Sequence, residues 1–269
     1  MILLANPDVD VSFPGAPPLA FTERVGAWNG FEVASAELLS QRELLTRVDR
    51  KFVASTKRVS SFLRGLRDDY RILLAGDAGW ARYETCYFDT PDLRAFSEHL
   101  RGRRPRFKVR IRHHMDRGQS FLEVKCKTNA CKTQKARRRR QFGDSLLSDE
   151  DRAFIAEHCA LPAAALDAAV WTNFRRATFV GVETNERITV DVGLTFQRGA
   201  DAGDTVEFGI IELKQPRMLH STPAALLLRE LGLREQSLSK YCVGVAKVHE
   251  GAKPRARQTV SRTLQRIKP

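Results

Sequence analysis

The sequence has no run of about 18 or more apolar residues, so no segment is long enough to cross a bilayer as a helix. It has no Cys-x-x-Cys pair. Its five cysteines (Cys86, Cys126, Cys131, Cys159 and Cys242) are odd in number and scattered, which fits a reducing compartment better than a disulfide scaffold. Cys126 and Cys131 lie near His113 and His114, but the spacing is not that of a standard zinc site, and ordinary strand and turn residues are the expected reading. No glycine-rich phosphate loop, no Ser-His-Asp or Cys-His arrangement and no internal repeat is evident. The opening Met-Ile-Leu-Leu-Ala-Asn-Pro-Asp lacks the basic start and long apolar core of a secretory leader, so a cytoplasmic location is expected.

Acids are scarce in one place above all. Residues 101–140 hold sixteen Lys and Arg against Asp116 and Glu123 alone, and residues 251–269 hold six Lys and Arg and no acid. The whole chain is +13, yet the remainder outside these two stretches is net acidic. A concentrated basic segment on an otherwise acidic chain implies phosphates, nucleic acid or an acidic membrane surface as partner. The cations are not interleaved with exposed aromatics, which weighs against specific nucleic-acid binding.

What is present is alternation. Residues 106–112 read Arg-Phe-Lys-Val-Arg-Ile-Arg. Side chains on a strand repeat direction with period two, so Arg106, Lys108, Arg110 and Arg112 share one face and Phe107, Val109 and Ile111 the other. Residues 121–127 repeat the pattern, with Glu123, Lys125 and Lys127 opposite Leu122, Val124 and Cys126. Further strands are expected at 47–53, 81–88, 134–142, 173–182, 187–196 and 206–214. Helices are expected at 33–46, 55–68, 90–100, 148–169 and 223–231. Residues 237–245 read either as a last strand or as the start of a helix. On the strand at 81–88, Arg82, Glu84 and Cys86 share a face. Charged polar faces in so many strands point to an α+β fold in which a closed, eight-stranded antiparallel β-tunnel has its charges in the lumen and its helices packed outside. The expected divisions are a loosely ordered lead-in (1–32), the tunnel domain (33–249) and a basic tail (250–269), disordered or a detached helix.

Eight short motifs then occur in order: Arg47-x-Asp-x-Lys51, Tyr87-Phe-Asp-Thr-Pro91, Lys108-Val-Arg-Ile-Arg112, Phe121-Leu-Glu-Val-Lys125, Asn173-Phe-Arg-Arg-Ala177, Arg187-Ile-Thr-Val-Asp191, Ile211-Glu-Leu-Lys214 and Ser239-Lys-Tyr241. Together they resemble the VTC domain, the polyphosphate polymerase member of the triphosphate tunnel metalloenzyme superfamily, over residues 40–247. The resemblance implies transfer of the ATP γ-phosphate onto a growing polyphosphate chain, with Mn²⁺ or Mg²⁺. It assigns Lys51, Arg110, Arg112, Lys125, Arg187 and Lys240 to the phosphates. Arg82, Lys108, Lys214 and one of Arg175 and Arg176 are further contacts. Glu212 is the first metal ligand. Glu123 is either the second or an orienting partner of Arg110 or Lys125, and Asp49 and Asp191 lean to orienting roles. The pattern departs from the superfamily where Arg47 and Asp49 stand in place of two glutamates, and from eukaryotic relatives where Ser237 stands in place of a lysine.

Two other readings share these residues: a tunnel-type inorganic triphosphatase, and a non-catalytic module that binds polyphosphate or nucleotide. The run Lys132 to Arg140 is either a basic mouth for the chain or a charge-protected edge strand. The basic tail is expected to touch an anionic membrane surface weakly. Oligomeric state is left open.

Overall fold

A computed structural model describes residues 30–42, 47–130, 133–199 and 203–265. The elements run α1 (Ala36–Gln41), β1 (Val48–Ser55), α2 (Thr56–Gly65), β2 (Tyr70–Leu73), β3 (Ala81–Asp89), α3 (Arg94–Leu100), β4 (Arg106–His114), β5 (Gln119–Lys127), β6 (Thr133–Arg140), α4 (Asp149–His158), β7 (Asp167–Gly181), β8 (Arg187–Gln197), β9 (Asp204–Thr205), β10 (Phe208–Gln215), α5 (Pro223–Glu230), α6 (Lys240–Val248) and α7 (Pro254–Gln265). Among the described residues no helix is long and apolar enough to cross a membrane.

The strands form one antiparallel sheet in the order β1-β10-β8-β7-β3-β4-β5-β6, with β2 added on β7 and β9 on β8. The expected closed, eight-stranded barrel is therefore corrected: the sheet has ten strands and is open, since β1 and β6 do not pair among the described residues. One physical reason lies at β1. Its outer edge is met by the segment before α6, through a bridge between Phe52 and Glu235 and a bond from the Gln236 N–H to the Lys51 carbonyl. Those backbone groups are satisfied before β6 could reach them. The sheet nonetheless curls strongly. Lys51 on β1 acts electrostatically on Lys108 and Lys125 of β4 and β5, with β10, β8, β7 and β3 lying between in the sheet order.

The convex face is apolar, as alternation dictates. Val59, Phe62 and Leu63 of α2 and Ala224 and Leu228 of α5 pack on Ile188, Val190, Ile211 and Leu213. Ile155 of α4 joins Val109, Ile111, Leu122 and Val124 beneath β4 and β5. Each of the larger side chains here, Ala224 apart, contributes about 1.5–3 kcal/mol on burial. Gly209 lets α2 approach β10, since a Cβ there would stand 2.8 Å from Val59 Cγ2.

Not every helix is outside. Of the strand and the helix that the sequence allows over 237–245, the helix forms: α6 starts at Lys240 behind the Ser239 cap, and its Tyr241, Cys242, Val243, Val245 and Ala246 are buried. α6 packs against the concave ends of β7 and β8, with Gly244 against Phe196 and Val170. A Cβ on Gly244 would lie 2.7 Å and 2.8 Å from those side chains, so only glycine lets the helix seat there. The Tyr87-Phe-Asp-Thr-Pro91 motif holds this end together. Asp89 accepts the N–H groups of Thr90 (2.8 Å), Ala95 (2.9 Å) and Phe96 (3.0 Å), and the hydroxyl of Tyr241. One carboxylate thereby ties α3 and α6 to β3.

Other boundaries shifted for local reasons. The helix expected over 148–169 is α4 alone. Ser148 and Asp151 form a reciprocal capping box at its start, and Cys159 is extended at its end. Pro162 then opens a single turn before β7. β2 was not anticipated. Residues 1–29 of the lead-in and 43–46 of the first expected helix lie outside the described residues. The described part of the tail, up to residue 265, is not detached: α7 packs on α6, and Ala252 and Val260 join the main core; residues 266–269 lie outside the described residues.

Candidate active site

Alternation places Arg106, Lys108, Arg110 and Arg112 of β4 on the concave face, and Glu123, Lys125 and Lys127 of β5 beside them. Register sets Lys108 opposite Lys125 and Arg110 opposite Glu123. From β3 the same face receives Tyr83, Thr85 and Tyr87. Arg112 donates to the Thr85 hydroxyl (3.2 Å), and Arg110 to the Tyr87 hydroxyl (3.3 Å) and the Glu123 carboxylate (2.6 Å).

Besides Asp49 of β1, which is exposed and 2.9 Å from Arg47, three deeper carboxylates are set among the cations, and each is already engaged. Asp191 of β8 receives two bonds from Arg176 (2.5 and 2.7 Å) and one from Lys240. Glu212 of β10 sits 2.5 Å from Lys214 and 4.0 Å from Lys51. Glu123 lies between Arg110 and Arg137, the latter at 3.9 Å. Burial alone would raise the pKa of all three, but the neighbouring cations outweigh it. Arg110 and Arg112 hold Glu123 down at about 2. Arg176 and Lys240 hold Asp191, and Lys214 and Lys51 hold Glu212, well below the usual carboxylate range.

The cations are less well balanced. Burial, then Lys51, Lys108 and Lys135, push the Lys125 amine down to about 7. Burial brings Lys108 to about 8, with Lys51 and Arg110 adding to it against Cys242 and Tyr87. Arg112 is lowered to about 10 by burial and by Arg110. Burial raises Tyr87, yet Arg110, Arg112, Lys240 and Lys108 together bring its hydroxyl to about 8. Such a set is short of negative charge, and an anion with several charges is what it fits.

An aromatic pair braces it. Tyr83 and Phe174 stack with ring centroids 5.3 Å apart. Arg112 and Arg176 both lie over this pair, and Lys240 stands 4.4 Å from the Phe174 centroid. Sequence reasoning did not single out Tyr83, Tyr87 or Phe174 for the site. The signal was available, since alternation that sends Arg82, Glu84 and Cys86 one way sends Tyr83, Thr85 and Tyr87 the other.

At one mouth a cavity of about 230 Å³ is lined by Arg47, Arg82, Arg117, Arg176, Arg187 and Lys214, among others. Arg82 is at its rim, 3.1 Å from Asp116, and register puts Arg175 opposite Arg82. Of the two adjacent arginines, Arg176 is the one bonded to Asp191 in the cleft. His99 donates its Nδ1–H to the Ala95 carbonyl at 2.9 Å. Burial and the field of Lys108 lower its pKa to about 3, so its ring is neutral.

The low Lys125 and Lys108 pKa values carry a pH signature. An anion binds the protonated amines, so affinity is full below pH 7 and falls as the free protein loses these protons above it. Affinity for a non-hydrolysable ATP analogue at fixed salt should weaken from pH 7 to pH 9. Lys125→Arg should flatten the profile, because a guanidinium stays charged. A level wild-type profile would rule this out.

The chain belongs to the VTC domain family, which matches residues 46–249. No curated protein matches it in sequence. Solved structures that resemble it include a candidate adenylate cyclase from Bacillus halodurans, 13% identical, covering 72% of this chain and 93% of its own, with a TM-score of 0.48. A candidate adenylyl cyclase from Hippeastrum with a dominant triphosphatase activity is 13% identical, over 74% of this chain and 94% of its own, with a TM-score of 0.45. The PH1012 protein of Pyrococcus horikoshii OT3 is 12% identical, over 73% and 98%, with a TM-score of 0.40.

Proposed function

We propose that the protein is a polyphosphate polymerase that moves the γ-phosphate of ATP onto a growing polyphosphate chain, with Mn²⁺ or Mg²⁺. The observation that carries this reading is the excess of cations over carboxylates in the cleft, with Lys108 and Lys125 left short of counter-charge. Membership of the VTC domain family supports it.

Phosphoryl transfer between phosphates needs positioning and charge neutralisation more than covalent help. Arg110, Arg112 and Arg187 offer planar forks to phosphate oxygens, and Lys51, Lys125 and Lys240 mobile point charges. Lys108, Lys214 and Arg176 add charge close by, and Arg82 serves at the rim; of the adjacent pair, Arg176 and not Arg175 takes the phosphate role. Glu123 and Asp191 orient Arg110 and Arg176. Thr85 and the Tyr83–Phe174 pair hold Arg112 in place. A terminal oxygen of the acceptor chain attacks the γ-phosphorus, the bond to the β-phosphate oxygen breaks, and ADP leaves.

No group of three or more His, Cys, Asp or Glu converges among the described residues, so the protein alone builds no cage for a metal. A small hard cation fits differently, taking one or two carboxylates plus phosphate oxygens and water. Glu212, ionised and facing Lys51 and Lys214, is suited to that single-carboxylate role. The metal would supply charge neutralisation at the phosphates.

Incubation with ATP and Mn²⁺ tests the reading, with products run on a gel for polyphosphate and assayed for free phosphate. A ladder is expected. Free phosphate without a ladder would replace the polymerase by a triphosphatase, and neither product would leave a binding module.

A further inference from the structure

The open sheet leaves a row of cations where a closed barrel would have hidden it. Four rungs cross β4, β5 and β6 on the concave side: Lys108–Lys125–Lys135, Arg110–Glu123–Arg137, Arg112–Phe121–Arg139 and, at the end of the strands, Arg106–Lys127–Thr133 with two cations. They differ in what balances them. The second has Glu123, bonded to Arg110 at 2.6 Å and 3.9 Å from Arg137. The third has the Phe121 ring, covered by the Arg137 guanidinium 3.3 Å from its centroid. The first has three lysines and no acid. Like charges set directly opposite on a sheet repel. Nothing on the rung itself offsets that, so an anion lying along it would gain from all three amines.

The row also has a direction. Lys108 and Lys125 are half-buried in the cleft, whereas Lys135 is exposed on β6, whose one strand partner among the described residues is β5. At the end of the cleft beyond Lys108 the way is filled. Tyr241 of α6 is 1% exposed, Cys242 is buried beside it, and Gly244 is pressed against Phe196 and Val170. The alternate residues of β6 are committed elsewhere: Arg138 pairs with Glu150, and Arg140 with Asp144 and Asp151.

We propose that the growing chain leaves the cleft sideways, over β5 and β6 along Lys108, Lys125 and Lys135, and not past α6. This rests on the polymerase reading and gives its product a path. Neighbouring strands lie about 4.8 Å apart, so the three lysine positions span about 10 Å, enough to hold more than one phosphate at once. Lysine suits a moving ligand. Its ammonium is a point charge on a flexible stem and can pass from one phosphate to the next, whereas an arginine fork holds a fixed geometry. The arginines gather at the opposite mouth, where Arg47, Arg82, Arg117 and Arg187 line the cavity.

The test is calorimetric binding, without nucleotide, of tripolyphosphate and of long-chain sodium polyphosphate. The proteins are the wild type, Lys135→Ala, Lys135→Glu and the distant surface control Arg64→Ala. Long-chain affinity should fall about tenfold in Lys135→Glu and by a smaller factor in Lys135→Ala. Tripolyphosphate affinity should stay within about twofold, as should both affinities of the control. The long-chain salt slope should drop by about one in Lys135→Ala, reflecting one lost phosphate contact. Unchanged long-chain binding in Lys135→Glu would overturn the lateral path. Equal weakening of both ligands would overturn it too, by placing Lys135 in the triphosphate site. Wild-type protein that binds neither ligand would sink the polymerase reading itself, and the path with it.

Discussion

Asp191→Ala should unfold in denaturant with about 3–5 kcal/mol less stability than the wild type, the largest loss expected from any single cleft residue. Asp191 is 2% exposed and is the shared partner of Arg176 and Lys240. Without it, two buried cations face each other with no anion between them. The attraction lost is only part of the cost, since both cations stay out of water with nothing to replace it. Added tripolyphosphate brings negative charge back to the same place. It should therefore raise the unfolding midpoint of the variant by more than it raises that of the wild type. A loss below about 1 kcal/mol, or equal ligand shifts in both proteins, would mean that water reaches Arg176 and Lys240 freely and that Asp191 is not their anchor.

Glu212→Gln should lower turnover by about a hundredfold or more while leaving nucleotide binding intact. The change keeps the size of the side chain and removes its charge. Lys51, Arg110, Arg112 and Lys125 remain for the phosphates, and with one repulsive carboxylate gone, ATP in chelator should bind at least as tightly as in the wild type. Raising Mn²⁺ should recover part of the lost rate if Glu212 is a metal ligand. If Glu212 serves only to steady Lys214, 2.5 Å away, turnover and metal dependence should both stay near wild type. That result would leave the metal role without a residue.

Much of the layout of this cleft is legible in the sequence. Strand period two places the cations of 106–112 and 121–127 on one face regardless of what surrounds them, because alternation is local. The same rule put two of the four arginines 137–140 outward, and Arg138 and Arg140 do face the acids of α4 and its approach. Local signals also located α2, α3 and α5. The helix expected over 148–169 forms only as far as His158, because the alanines at 163–165 follow Pro162 and make a single turn ahead of the long strand β7.

What the sequence by itself determined, then, is which residues share a face, and that one such face is too cationic to stand without an anion. Only the tertiary structure decided which faces meet. Asp191 lies far along the chain from Lys240, and Lys51 further still from Lys125, and no periodicity relates them. The curl of the sheet brings them together, and the segment before α6 leaves β1 and β6 unpaired. The inward seat of α6 depends on a Cβ missing at Gly244 and on the space between Phe196 and Val170, a fit between distant surfaces. Alternation is a property of a few consecutive residues, whereas closure, edges and plugs depend on long-range packing, which a strand pattern does not encode.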